Sequence, residues 1–186
     1  FNWQNTWSAS IHTGERWDND RDKEQLKQLF LSLQQRPEIA TVGMTLSPIF
    51  ENSRWTSDDE INGVSTYHVI NYADQQGPIN WGVELVAGRW FGEEDRGQNY
   101  RAMMINQQFA DVAFQNQDPV GFEIANPDDP EEKPRRIVGV FNDFRHMGEF
   151  SEPTPYVFYR YDLNDGNANG MHNIHLTFNQ KQTAAY

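Results

Sequence analysis

Residues 22–35 carry Leu26, Leu29, Phe30 and Leu33 at i, i+3, i+4 and i+7, with Lys, Glu and Gln elsewhere. That period sets large apolar side chains along one side of a helix, so the segment must lie on an apolar surface built by the rest of the chain. Asp20 or Asp22 serves as N-cap, with Gln25 three residues after Asp22, and Pro37 ends the helix by turning Arg36 away from helical angles. β-rich runs flank it, Trp7 to His12 before and Ile39 to Leu46 after, the second closed by Pro48. The chain therefore opens strand, helix, strand.

Downstream the pattern is mostly β. Glu51 to Gly63 is polar and reads as a loop, Ser65 to Tyr72 as a strand, and Trp81 to Phe91 as an apolar run suited to burial. Arg101 to Ile105 is a further strand, after which Asn106 caps a helix with Phe109, Val112 and Ala113 on one face. Asp118-Pro119-Val120-Gly121 fits a type I turn. Phe122 to Ala125 and Arg135 to Phe141 form a hairpin-like pair around an acidic loop, Asn126 to Pro134, whose three prolines make it a tip. Tyr156 to Tyr161 is a strand, Asp162 to Gly170 a loop, and His172 to Phe178 a strand with Ile174, Leu176 and Phe178 on one face. A last helix starts at Gln180. The reading is α+β.

At 186 residues the chain is long enough for one core, which would bury roughly 70% of its unfolded surface. With 15 Lys+Arg against 27 Asp+Glu, a net charge of −12, it offers neither the clustered cations of a nucleic-acid groove nor a polybasic membrane patch. Only 37% of residues are hydrophobic, yet 6 Trp, 7 Tyr and 12 Phe are too many for a disordered acidic chain and supply much of a core. No run of apolar residues reaches membrane-helix length and no leader pattern is present. Absence of cysteine excludes disulfides and thiolate chemistry. The start at Phe1 and the ending Gln182 to Tyr186 read as the edges of a piece of a longer polypeptide.

Several groups invite chemistry. Asp18-Asn19-Asp20-Arg21-Asp22 begins like a calcium loop, but Lys23 stands where glycine is needed and Leu29 where a bidentate Glu is needed; Asp162-Leu163-Asn164-Asp165-Gly166 fails similarly, with Asn173 at its twelfth position. Helix capping and turn chemistry account for the two. His172 and His175, three apart on a strand, point to opposite faces and do not chelate. Asp143, Arg145 and His146 follow a strand end, where a His beside a carboxylate could act as general base, but no nucleophile motif accompanies them and a polar turn is the simpler reading. No phosphate-binding glycine motif is present. Trp3, Trp7, Trp17 and Trp55 lie in polar surroundings and could stack on sugars, which makes a secreted glycan- or ligand-binding module the alternative function; Trp81 and Trp90 belong to the core. The residues thus assign no catalytic, cofactor-binding or metal-ligating position.

An ordered series of short motifs adds to this. Gly88-Arg89-Trp90-Phe91 with Glu93-Glu94-Asp95, Ala102 to Asn106 leading into a helix, Asp118-Pro119-Val120-Gly121, Ile137 to Arg145, and Glu152-Pro153-Thr154-Pro155 together resemble the MacB-type periplasmic core domain of ABC-transporter permeases with an FtsX-like membrane part. The opening helix and strand, through Arg36 to Val42, resemble that family's first segment.

The resemblance implies an extracytoplasmic domain on the periplasmic side of a bacterial inner membrane, inserted after a first transmembrane helix. It implies a Porter-like subdomain from 1–80 and 163–186, truncated at its C-terminal part, and a mostly β Sabre-like subdomain from 81–162. It implies a mechanical role, coupling ATP-driven helix motion to export, efflux or release of a substrate, with no catalysis and no cofactor of its own. The partners implied are the permease's own transmembrane segments, a second permease subunit, a cytoplasmic ABC ATPase and a periplasmic adaptor or lipoprotein, with no nucleic acid.

Overall fold

A computed structural model describes residues 5–11, 20–51, 54–126, 129–148, 150–163 and 173–181. Among them the chain forms an α+β fold of mixed β-sheet with few helices, in two compact units. The first unit takes 1–48, 73–82 and 161–186, the second 49–72 and 83–160. Residues 49–72 thus cluster with the middle of the chain, whereas the division expected from the sequence grouped them with its ends.

In the first unit, β1 (Thr6–Ser10), β10 (Asn173–Phe178) and β2 (Ile39–Thr45) lie antiparallel in that order, and Ala73, the last residue of β4 (Val64–Ala73), pairs with Thr45. The helix α1 (Asp20–Gln34) packs against β2 with Leu26 and Phe30 buried, as the periodicity requires; Leu29 stays 39% exposed. Strand register separates two faces. Ala9, Ile174 and Met44 align in one row, with Trp7, Leu176 and Val42 beside them; Ser8, His175 and Gly43 align on the other face.

The short helix α2 (Gln76–Asn80) covers that second, polar face at Gly43. Here two glycines meet. A Cβ on Gly43 would strike Gly77 N and lie 2.6 Å from Gly77 Cα, and one on Gly77 would lie 2.9 Å from Thr45 Cγ2. The obstacles at Gly43 are backbone atoms, which no rotamer change removes. Gly43→Ala should therefore lift α2 from β2 at a cost of about 1–3 kcal/mol, read as a lower urea midpoint.

In the second unit, β3 (Trp55–Ile61) and β4 form a hairpin. Residues 55–61, read from the sequence as part of a loop, are therefore a strand. Its exposed side faces water, so TSDDEI lacks the apolar alternation of a half-buried strand; the turn itself is Asn62-Gly63, with φ of 54° and 77°, the left-handed pair that a two-residue hairpin loop requires. β6 (Arg101–Asn106) runs between β8 (Arg135–Phe141), parallel, and β9 (Tyr156–Arg160), antiparallel. The helix α3 (Gln107–Phe114) links β6 toward β8 and buries Phe109, Ala113 and Phe114 against Met103, Ile105, Ile137 and Val157.

β5 (Leu85–Gly88) and β7 (Glu123–Ile124) both pair with β8. β5 is exposed throughout, so only the flanks of the apolar run 81–91 are buried, at Trp81, Val83 and Phe91; Trp90 is half-buried rather than core. The turn expected at 118–121 lies one residue later: Phe122 N donates to Pro119 O, and Gly121 sits third at φ 89°. That is the position a type II turn reserves for glycine, while Asp118 Oδ1 accepts from Val120 N at 2.9 Å. The helix expected from Gln180 falls largely on 182–186, outside the described residues.

Candidate functional site

Asp143 and His146, paired by sequence proximity, are used separately. Asn106 is the N-cap of α3: its Oδ1 accepts from Phe109 N at 3.1 Å and from Tyr156 N at 2.8 Å, and its Nδ2 donates to Asp143 Oδ1 and Thr154 O. Asp143 Oδ1 also accepts from Gln108 N at 2.9 Å, so its charge lies at the start of α3, where the helix dipole favours it. The carboxylate is thus committed to structure.

His146 is buried against Phe144 and Tyr156, and its backbone oxygen accepts from Phe50 N. Its Nε2 faces Arg54 Nη1 at 3.4 Å; because a guanidinium only donates, Nε2 is the acceptor and Nδ1 carries the proton. Burial, then the Arg54 charge, holds the imidazole below its usual range. These contacts tie the loop after β8 into the unit. Asn106→Ala removes four hydrogen bonds from a fully buried position and should cost about 2–3 kcal/mol, measured by urea unfolding, with faster amide exchange at Phe109 and Tyr156.

A buried ionic group in the second unit was not singled out from the sequence. Arg135 on β8 grips Asp59 on β3 with both terminal nitrogens, at 2.9 and 2.8 Å, and donates to Tyr159 Oη at 3.2 Å. Beside them His68 donates from Nδ1 to Thr66 O at 2.9 Å, leaving Nε2 3.6 Å from Asp59 Oδ2, too long for a hydrogen bond. Burial keeps His68 below its usual range in spite of Asp59. Asp59, His68 and Tyr159 are all nearly closed to solvent. The group braces β8 and β9 against β3.

A second ionic knot holds the Gly88-Arg89-Trp90-Phe91 motif. Arg89 pairs with Asp95 at 2.7 and 2.6 Å, Gly92 N and Tyr100 Oη add hydrogen bonds to the same carboxylate, and Arg136 lies over the Tyr100 ring at 5.1 Å. Gly88 stands opposite Gly139 with φ 72°.

In the first unit the polar face carries a closed network. His175 bonds Ser8 Oγ through Nδ1 at 2.8 Å and Thr45 Oγ1 through Nε2 at 2.7 Å. Thr45 donates its own proton to Ser47 O, so His175 is protonated on Nε2 and accepts at Nδ1. Burial pushes this imidazole down to about 4. Asn80 donates to His175 O and accepts from Thr41 and Gln76. Asp74 accepts from Met44 N and Gly77 N; burial outweighs these amides and raises its carboxyl to about 6.

His172, Trp3, Trp17, Asp18, Asn19 and 164–166 lie outside the described residues, as do the side chains of Asp20, Arg21 and Asp22. Among the described residues no group of three or more His, Asp or Glu could hold a metal. Trp7 (44% exposed) packs edge-on against Phe178 in the first unit, and Trp55 (66%) lies on β3 in the second, so neither unit joins the two into one stacking platform. No helix of the described residues is long and apolar enough to cross a membrane.

The family model described as MacB-like periplasmic core domain matches residues 2–184. Among solved structures, the periplasmic region of MacB from Actinobacillus actinomycetemcomitans is similar at TM-score 0.62 and 15% identity, covering 97% of this chain and 77% of that one. The extracellular domain of the noncanonic ABC-type transporter YknZ from Gram-positive bacteria is similar at 0.58 and 13%, over 95% and 84%. A domain of a putative permease from Porphyromonas gingivalis gives 0.53 and 15%, over 83% and 69%. No curated protein matches the chain.

Proposed function

Since the chain belongs to the MacB-like periplasmic core domain family, we propose that it transmits ATP-driven motion of permease membrane helices to a substrate or partner outside the cytoplasmic membrane. The match across 2–184 carries this reading. Its partners are the permease's own transmembrane segments, a second permease subunit, a cytoplasmic ABC ATPase and a periplasmic adaptor or lipoprotein. The division into a Porter-like and a Sabre-like part belongs to the same proposal. Internal rigidity supports it: a body that passes on displacement must resist deforming, and each unit is braced by its own buried polar network.

Because these 186 residues hold no cysteine, an introduced cysteine gives this chain one label at a chosen position. Leu31→Cys on α1 and Val86→Cys on β5, both exposed positions, would carry a nitroxide in the assembled permease with its ATPase. Distances to a second label in the membrane helices should shift between nucleotide-free and ATP-bound states. Unchanged distances at both positions would overturn the mechanical reading.

A further inference from the structure

The hairpin β3–β4 ends the second unit on an open strand. β3 pairs with β4 and with no other strand among the described residues, so along its outer edge the backbone N–H and C=O groups of alternate residues, Thr56, Asp58 and Glu60, are open to an added strand. Its side chains fall in two rows. Thr56, Asp58 and Glu60 are exposed on one face, where Asp58 stands opposite Tyr67, itself 63% exposed. Trp55 and Ser57 begin the other row, which continues into the buried Asp59 and Ile61.

The exposed row of β3 carries two carboxylates, Asp58 and Glu60, and no cation; Arg54 precedes the strand. Asp59 is already paired with Arg135, whereas Asp58 accepts from the Ser65 hydroxyl, at 2.7 and 2.8 Å. A second copy of β3 would bring Asp58 and Glu60 against like charges, which disfavours self-pairing. A strand with cations at alternate positions would meet both carboxylates on one face, and apolar residues between them would cover the exposed Trp55 ring on the other.

From this edge, its two rows and its charge we infer that β3 is a docking strand for an extended polypeptide segment that alternates basic and apolar residues. The inference rests on the second unit alone and stands independently of the coupling role.

The test uses the 186-residue chain and two capped octapeptides, one alternating Lys and Val, the other Glu and Val. Hydrogen exchange of the outward amides within 55–61, those of Thr56, Asp58 and Glu60, should slow at least about fivefold with the Lys peptide and not with the Glu peptide. Asp58→Lys/Glu60→Lys, at exposed positions, should weaken the Lys peptide about tenfold and admit the Glu peptide. No slowing in 55–61, slowing confined to other segments, equal binding of both peptides, or protection of the same amides by self-association without peptide would each overturn the inference.

Discussion

Arg135→Met should lower the stability of the chain by about 3–5 kcal/mol, because it leaves the Asp59 carboxylate buried without its bidentate partner. Replacing both residues, as Asp59→Asn/Arg135→Met, should recover most of that loss, since no unpaired charge then remains. The neighbouring imidazole supplies a second readout. Arg135 depresses His68 and Asp59 raises it, so Arg135→Met must move the His68 titration upward, measurable by NMR of the ring protons. Protonated His68 would then stand in for the missing guanidinium, 3.6 Å from Asp59. The loss is accordingly greatest above the new His68 pKa and shrinks on acidification. A single variant as stable as wild type at pH 8 would show that the pair is not the brace described.

The second large effect lies in the first unit, where two groups titrate in the same pH range with opposite consequences. His175 is depressed from 6.5 to about 4. Between those values the unfolded chain binds a proton that the folded chain does not, so its contribution is present above 6.5 and lost as pH falls through 4. Asp74 is raised from 3.8 to about 6. Here the folded chain keeps the proton longer, so the contribution is present below 3.8 and lost as pH rises through 6. Each shift corresponds to about 3 kcal/mol.

Asp74→Asn keeps an acceptor for Met44 N and Gly77 N and removes the ionisation. It should leave stability unchanged at pH 3.5 and raise it by up to about 3 kcal/mol at pH 7. His175→Gln should cost about 3 kcal/mol more at pH 7 than at pH 4, because wild type has itself lost that contribution in acid. Urea unfolding of the three proteins at pH 3.5, 4, 5, 6 and 7 measures both. Differences from wild type that do not vary with pH would remove these two groups as the source.

The elements legible in the sequence were those whose signals are short. The stripe Leu26, Phe30 and Leu33, the cap at Asn106 and the strand runs at 101–105 and 135–141 each declare themselves within a few residues, and the structure has them within two residues of the expected bounds. β3 was missed because its exposed row, Thr56, Asp58 and Glu60, looks like a loop; Asn62-Gly63 was the available signal. Asp143 and His146 were legible as strand-end residues, but not the use of one on α3 and the other on Arg54.

What the sequence determined by itself was therefore the α+β class, the order of most elements, and a motif series sufficient for family membership, because periodicity, caps and turn residues act over a few positions. The tertiary structure alone decided which polar side chains became partners. Asp59 and Arg135 are 76 residues apart, Thr45 and His175 130 apart; such pairs are selected by sheet register and burial, and a desolvated charge or imidazole can only take the partner that register brings to it.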